Sequence, residues 1–191
     1  MKRWVGLTAV VALAMLSSQS PVTARDHDRD RNRSFKASLI GFEEPPAISS
    51  PGHGRFEARI SRDGESFDYK LSYSDLAGTV TQAHIHMGLP SVNGGIAIWL
   101  CQTAAVTVPA GAGMVPLCPT PGGTVEGTVT AAQVLGPTAQ FFPVGEFGEV
   151  VRGLRNGAGY ANVHTTRNPG GEIRGQIQVD DDDHGRGDHD H

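Results

Sequence analysis

Arg55-Phe56-Glu57-Ala58-Arg59-Ile60-Ser61, the tetrapeptide Arg62-Asp63-Gly64-Glu65, and then Phe67, Tyr69, Leu71 and Tyr73 at every second position form the run of this 191-residue chain that decides its fold class. Strand side chains change face at each residue, so Phe56, Ala58 and Ile60 fall on one face and Arg55, Glu57 and Arg59 on the other. The second run repeats the pattern. An Asp-Gly pair between two such runs supplies the positive-φ residue that a tight hairpin turn requires, so the stretch reads as two antiparallel strands, each with one apolar and one wet face.

The same punctuation extends in both directions. Upstream, Phe35, Ala37 and Leu39 alternate over 35–40 until Glu43-Glu44-Pro45-Pro46 stops the strand. Downstream, Thr79 to Met87 reads as a strand, Pro90 to Gly95 as a turn, and Ile96 to Cys101 as a strand apolar enough to be buried on both faces. Gly123 to Thr130 is another strand. Ala131 to Leu154 is the least regular segment, with one or two helical turns expected at Ala131–Leu135 and at Phe147–Leu154. Tyr160–Thr166 and Ile173–Val179 form a last hairpin across Asn168-Pro169-Gly170-Gly171. With 25 glycines, 12 prolines and 6 % aromatic residues, the composition agrees. The expected fold is all-β, an immunoglobulin-like β-sandwich or Greek-key barrel of about eight strands with short connecting helices.

Both ends differ from this body. Met1 to Ala24 carries Lys2 and Arg3, an apolar run from Trp4 to Leu16, and small residues at Val22-Thr23-Ala24, the pattern of a secretory signal peptide. No later segment reaches about 18 apolar residues, so no transmembrane segment is expected and the chain is expected outside the cytoplasm, secreted or periplasmic. Residues 25–34 mix charges without an apolar residue and are expected to be a disordered leader. Residues 180–191 hold six aspartates and three histidines against one arginine and are expected to be a solvated, disordered tail that collects divalent cations weakly. Loss of the signal peptide takes the formal charge from −4 to −6, of which the tail accounts for five, so residues 35–179 form one near-neutral domain. A near-neutral body argues against nucleic acid as a partner.

Two cysteines, Cys101 and Cys118, are most simply a disulfide in an oxidising compartment. The bridge closes a loop of about 18 residues and contributes on the order of 3 kcal/mol by the chain-entropy estimate.

Chemistry gathers on three histidines. His84 and His86 lie two apart on one strand and share a face, and a single neighbouring strand carrying Tyr160-Ala161-Asn162-Val163-His164 can place His164 beside them. Imidazole suits copper and zinc alike, and a His-x-His strand with a histidine on a neighbour is how copper-zinc superoxide dismutases hold copper on the outside of a barrel. A full dismutase site is absent, since there is no clear fourth core histidine and no His/Asp cluster for a structural zinc. The other reading joins His84, His86 and His164 to Asn162, Glu172 and Arg174 in a hydrogen-bonded network. There Glu172 and Arg174 either orient an imidazole or pair with each other. A nucleophilic hydrolase fits poorly, because no serine lies in Gly-x-Ser-x-Gly. Glu43-Glu44, ahead of two prolines, suits a solvated or capping role better than acid/base catalysis.

Five motifs in order, Glu43-Glu44-Pro45-Pro46, His84-Ile85-His86-x-Gly88, Asn93-Gly94, Tyr160-x-Asn162-Val163-His164-Thr165 and Gly171-Glu172-Ile173-Arg174-Gly175-Gln176-Ile177, resemble the CHRD domain over about residues 35–178. The chain has Glu44 where that family often has an apolar residue. The resemblance implies a β-rich, immunoglobulin-like extracellular module whose own biochemical function is not established. The growth-factor antagonism of chordin is not carried over, because its cysteine-rich modules are missing. The expectation is therefore an exported module that binds an extracytoplasmic protein or ligand, and nothing in the sequence requires catalysis. The alternatives are copper or zinc binding at His84, His86 and His164 with superoxide-type redox chemistry, and a structural envelope or matrix component.

Overall fold

The Arg55–Tyr73 run forms the expected hairpin, with β2 (His53–Ile60) and β3 (Ser66–Ser74) paired in unbroken register from His53 with Ser74 to Ile60 with Phe67. In the turn, Asp63 accepts hydrogen bonds from Ser61 Oγ and the Glu65 amide while Gly64 takes the positive φ. The computed structural model describes residues 33–180. The expected signal peptide, the expected leader up to residue 32 and the expected tail from residue 181 lie outside the described residues. Ser34, expected in the leader, is instead the first residue of β1 (Ser34–Ile40).

The remaining strands are β4 (Val80–Met87), β5 (Gly95–Gln102), β6 (Gly123–Thr130), β7 (Gly159–Thr165), β8 (Ile173–Gln176) and the short β9 (Gln178–Val179). They make one antiparallel sheet in the order β5-β4-β7-β8-β1-β2-β3-β6, with β9 on β1, curled into a nearly closed barrel. The all-β class expected from alternation is therefore the one formed. The last expected strand, Ile173–Val179, is broken at Ile177: β8 pairs with β7, whereas β9 turns to pair with β1.

Inward-facing residues fill the barrel: Phe35 and Leu39 of β1, Phe56 of β2, Phe67 and Leu71 of β3, Ile85 of β4, Val163 of β7 and Ile173 of β8 are all buried. Among the described residues one α-helix, α1 (Phe147–Arg155), adds Phe147, Val150, Val151 and Leu154, the i, i+3, i+4, i+7 stripe of an amphipathic helix, and sets Phe147 against Phe67 with ring centroids 5.7 Å apart. Short 3₁₀ turns at Ala131–Gln133 and Thr138–Gln140 occupy the irregular stretch before it.

The edge strands β5 and β6 meet at the barrel's seam. Across it, the Tyr69 hydroxyl of β3 donates to the Leu100 carbonyl, Tyr73 donates to Pro119 O at 2.8 Å, and Cys101 is bonded to Cys118. Leu100 is available because it is an extra residue on β5: Cys101 pairs with Ala83 and Trp99 with His84, so the strand bulges between them. A second bulge at Ala97 lets Ile98 face inward while Ile96 and Trp99 face outward. The disulfide loop then folds back over that outer face, where Ala112 and Val115 cover Trp99. This loop is why β5 is buried on both sides.

Candidate functional site

The outer face of β4 and β7 is where alternation places polar side chains. His84 lies opposite Asn162 and His86 opposite Tyr160 in the antiparallel ladder, with His164 one pleat further along β7. On the other flank of β7, Arg174 of β8 lies opposite Asn162. Such a row would ordinarily be solvated, yet all of these residues are buried, His84 completely. The loop after β1, the loop after β4 and the disulfide loop form its cover.

The three expected histidines come together. His84 Nδ1 is 3.1 Å from His164 Nε2, and one ring nitrogen from each of His84, His86 and His164 lies within 4.8 Å of the others. Backbone carbonyls set the tautomers. His86 Nδ1 donates to Gly94 O at 2.9 Å and His164 Nδ1 donates to Pro169 O at 2.9 Å, so both rings carry their lone pair on Nε2. The Gly94 contact needs glycine, because a Cβ there would stand 1.7 Å from Met87 O. The buried Nε2 atoms of His84 and His86 have no hydrogen-bond partner among the described residues. His53, exposed beside Ser74 and Asp75, takes no part.

Burial dominates the electrostatics. It pushes the His84 imidazole down to about 2, with proximity to His164 and His86 adding to the effect. Burial also drives His86 down to about 4, against the Gly94 carbonyl, which favours the protonated ring. His164 is lowered by burial as well, opposed by Pro169 O. The trio is therefore neutral at pH 7, the form in which imidazole binds a metal.

Around the trio the aromatic contacts are close. Trp99 and His84 meet edge to face with centroids 4.3 Å apart, Tyr160 stacks on His86 at 4.9 Å with planes 2° apart, and the Arg174 guanidinium lies 3.4 Å over the Tyr160 ring. Arg174 also donates to the carbonyls of Leu89 and Val92, holding the loop after β4 in place. Glu172 goes elsewhere: its carboxylate accepts from Ser50 Oγ, the Ala77 amide and Thr165 Oγ1. Burial would raise its pKa, but these bonds and one from Asn168 more than offset that and lower it. Thus Arg174 buttresses the imidazoles through Tyr160, while Glu172 pins the neighbouring loops.

Glu44 was expected in a solvated or capping role and is instead buried, its pKa raised to about 7 by desolvation against the pull of Arg174 and Asn162. Only Gly171, at φ +130°, allows this: a Cβ there would lie 2.3 Å from Glu44 Oε1. Glu44 forms part of a cleft of about 310 Å³ with Pro45, Asn93, Pro169 and Gly171, one layer outside the histidines. A larger cleft, about 640 Å³, lies over the opposite part of the barrel among Glu57, Arg59, Asp68, Lys70 and Glu126 and contains none of the cluster. The sequence did signal Tyr160, which shares parity with Asn162 and His164. Trp99 was hidden by the bulges of β5, and nothing local marked Gly94 and Pro169 as carbonyl anchors.

The three-histidine cluster fits a metal in chemistry, with three neutral imidazoles and two unpartnered buried nitrogens. Ligands about 2.1 Å from one ion stand at most about 4.2 Å apart, so the widest permitted spacing here closes by roughly half an ångström on binding. Comparison with known families finds a match to the CHRD domain model over residues 35–177. No curated protein and no solved structure matches the chain. No helix among the described residues is long and apolar enough to cross a membrane.

Proposed function

The chain belongs to the CHRD-domain family, and on that premise we propose that it is an exported binding module whose ligand is a single copper or zinc ion held by His84, His86 and His164. One observation carries this reading: the buried Nε2 atoms of His84 and His86, neither of which has a hydrogen-bond partner among the described residues. A purely structural network would leave those atoms desolvated and uncompensated, at a cost of about 1–3 kcal/mol each. An ion would satisfy them together. The carbonyls of Gly94 and Pro169, by holding the Nδ1 protons, aim Nε2 inward in the way that outer hydrogen bonds orient metal-bound imidazoles. Bound there, copper or zinc would supply a Lewis-acidic centre, and copper a redox one. Export rests on the Met1–Ala24 pattern and agrees with the disulfide.

The test is metal content. Protein purified without chelator should carry close to one copper or zinc per chain, lose it on His86→Ala or His164→Ala, and keep it when residues 181–191 are removed. The deletion spares Asp180, which bonds to Ser34 O and Lys36. Metal-free protein of full stability that takes up neither ion would overturn the reading.

A second reading, docking of an extracytoplasmic protein, is favoured by Ile40, Phe42, Leu89 and Val92. These exposed apolar residues stand on the segments that meet around Arg174. It predicts a partner whose capture survives chelation and is lost on Phe42→Asp.

A further inference from the structure

Asn162 stands two residues before His164 on the same face of β7, directly opposite His84, and is 2 % exposed. Its Oδ1 lies 3.0 Å from His164 Nε2. That contact is the wrong one for the groups as they stand. His164 Nδ1 faces the Pro169 carbonyl, which can only accept, so the ring proton belongs there and Nε2 presents a lone pair. An amide oxygen also presents lone pairs, so two acceptors face each other at hydrogen-bond distance in a buried site.

The amide is turned this way from its far side. Gly171 has no Cβ, and at the point where one would sit Glu44 Oε1 is 2.3 Å away and Asn162 Nδ2 is 2.9 Å away. The nitrogen end of the amide therefore sits beside a carboxyl that attracts it, and the oxygen end is left for the histidines. Two facing acceptors become favourable when a cation stands between or beside them.

We infer that Asn162 Oδ1 is the fourth donor of the site, completing a three-nitrogen, one-oxygen set with His84, His86 and His164. The inference rests on the three-histidine reading and adds a residue to it. Such a set selects a borderline divalent ion, Zn²⁺ or Cu²⁺, over Cu⁺, which favours thiolate and thioether ligands. Glu44 then acts as a positioning residue through the Asn162 amide.

The experiment uses the purified full chain, stripped of metal and titrated with Co²⁺ as a coloured substitute for Zn²⁺, with Cu²⁺ in parallel. The wild type should bind one Co²⁺. Asn162→Ala should bind at least about tenfold more weakly and show altered ligand-field bands, because water replaces an amide oxygen. Asn162→Asp, almost the same shape, should retain binding with shifted bands, and its apo melting profile reports whether the fold is intact. Unchanged bands in both variants, whatever the affinity, would reduce Asn162 to an orienting role and overturn the inference while leaving the three-histidine site standing. Failure of the wild type to bind either Co²⁺ or Cu²⁺ would overturn both.

Discussion

The β1-β2-β3-β6 half of the barrel and the β5-β4-β7-β8 half are built from the same alternating strands and finish differently on the outside. Over β3 the pattern is buried in, polar out: Phe67, Tyr69, Leu71 and Tyr73 face the core, while Asp68 and Lys70 stand in solvent with Thr128 and Glu126 of β6. Over β7 every residue is buried. The outward residues there are no more apolar than those of β3; they are Tyr160, Asn162 and His164. Polar groups were thus placed under a lid of loops, where each needs a partner and where an unpartnered nitrogen is costly. A sheet face that gives up solvation without being hydrophobic must satisfy its polar groups under the loops, and the Nε2 atoms of His84 and His86 are left without a protein partner among the described residues.

The contrast breaks first at the largest substitutions. Phe56→Ala, fully buried in the first half, should cost about 3–5 kcal/mol in denaturant unfolding. If the outer layer of the second half is a true interior, Arg174→Ala should cost about 3 kcal/mol through lost bonds to the Leu89 and Val92 carbonyls and lost packing on Tyr160. A surface-like effect below about 0.5 kcal/mol would show instead that the loops lie open. Next is the seam: Cys101→Ala with Cys118→Ala should lower stability by about 3 kcal/mol on the chain-entropy estimate, and should free the loop that covers Trp99, seen as greater quenching of its fluorescence.

The pH profile sharpens the comparison further. His84 and His86 have folded-state pKa values below the ordinary 6.5, so their contribution is full above that value and is lost as pH falls, toward about 4 for His86 and about 2 for His84, because only the unfolded chain takes up the protons. His164 acts in the same direction. Glu44 opposes them: raised to about 7, it adds stability below about 4.5 and loses it as pH rises through 7. Metal-free protein should therefore lose stability between pH 6.5 and 4.5, by up to about 1.4 kcal/mol per pH unit for each net proton, and Glu44→Gln should steepen that loss. A flat profile would mean the histidines are solvated. The smallest effect belongs to the open half, where Lys70→Ala breaks an exposed pair with Glu126 and should change stability by no more than about 0.5 kcal/mol.

Period-two alternation and the Asp-Gly turn were enough to read the strands of both halves, since side-chain direction along a strand is a local property. The meeting of His84 with His164 was legible for the same reason once one neighbouring strand was assumed. What covers a face is not local. The burial of Glu44, Asn162 and Arg174 depends on the loops after β1 and β4 and on the disulfide loop, whose placement is set by contacts far apart in sequence, such as Arg174 to Leu89 across 85 residues and Ser50 to Glu172 across 122. Glu172 and Arg174 share a parity that suggested a common task, but the left-handed turn at Gly171 sends Glu172 toward Ser50 and Ala77 while Arg174 stays with Tyr160. The bulges of β5 likewise reassigned Trp99, since one extra residue reverses the face of those beyond it.

The seam between β5 and β6 bears on how the barrel keeps itself from joining to other chains. An exposed strand edge is a template on which a second chain can add, and here the edge of β5 is covered by its own chain: Leu117 bridges Gln102, the Leu135 amide donates to Ala97 O, and Tyr69, Tyr73 and the Cys101–Cys118 bond fasten the seam toward β6. The fastening therefore guards against strand-by-strand polymerisation. A chain that escapes oxidation would lose one of these fastenings and keep the tyrosine and backbone bonds, so the edge of β5 near Gln102 is the part it would expose first.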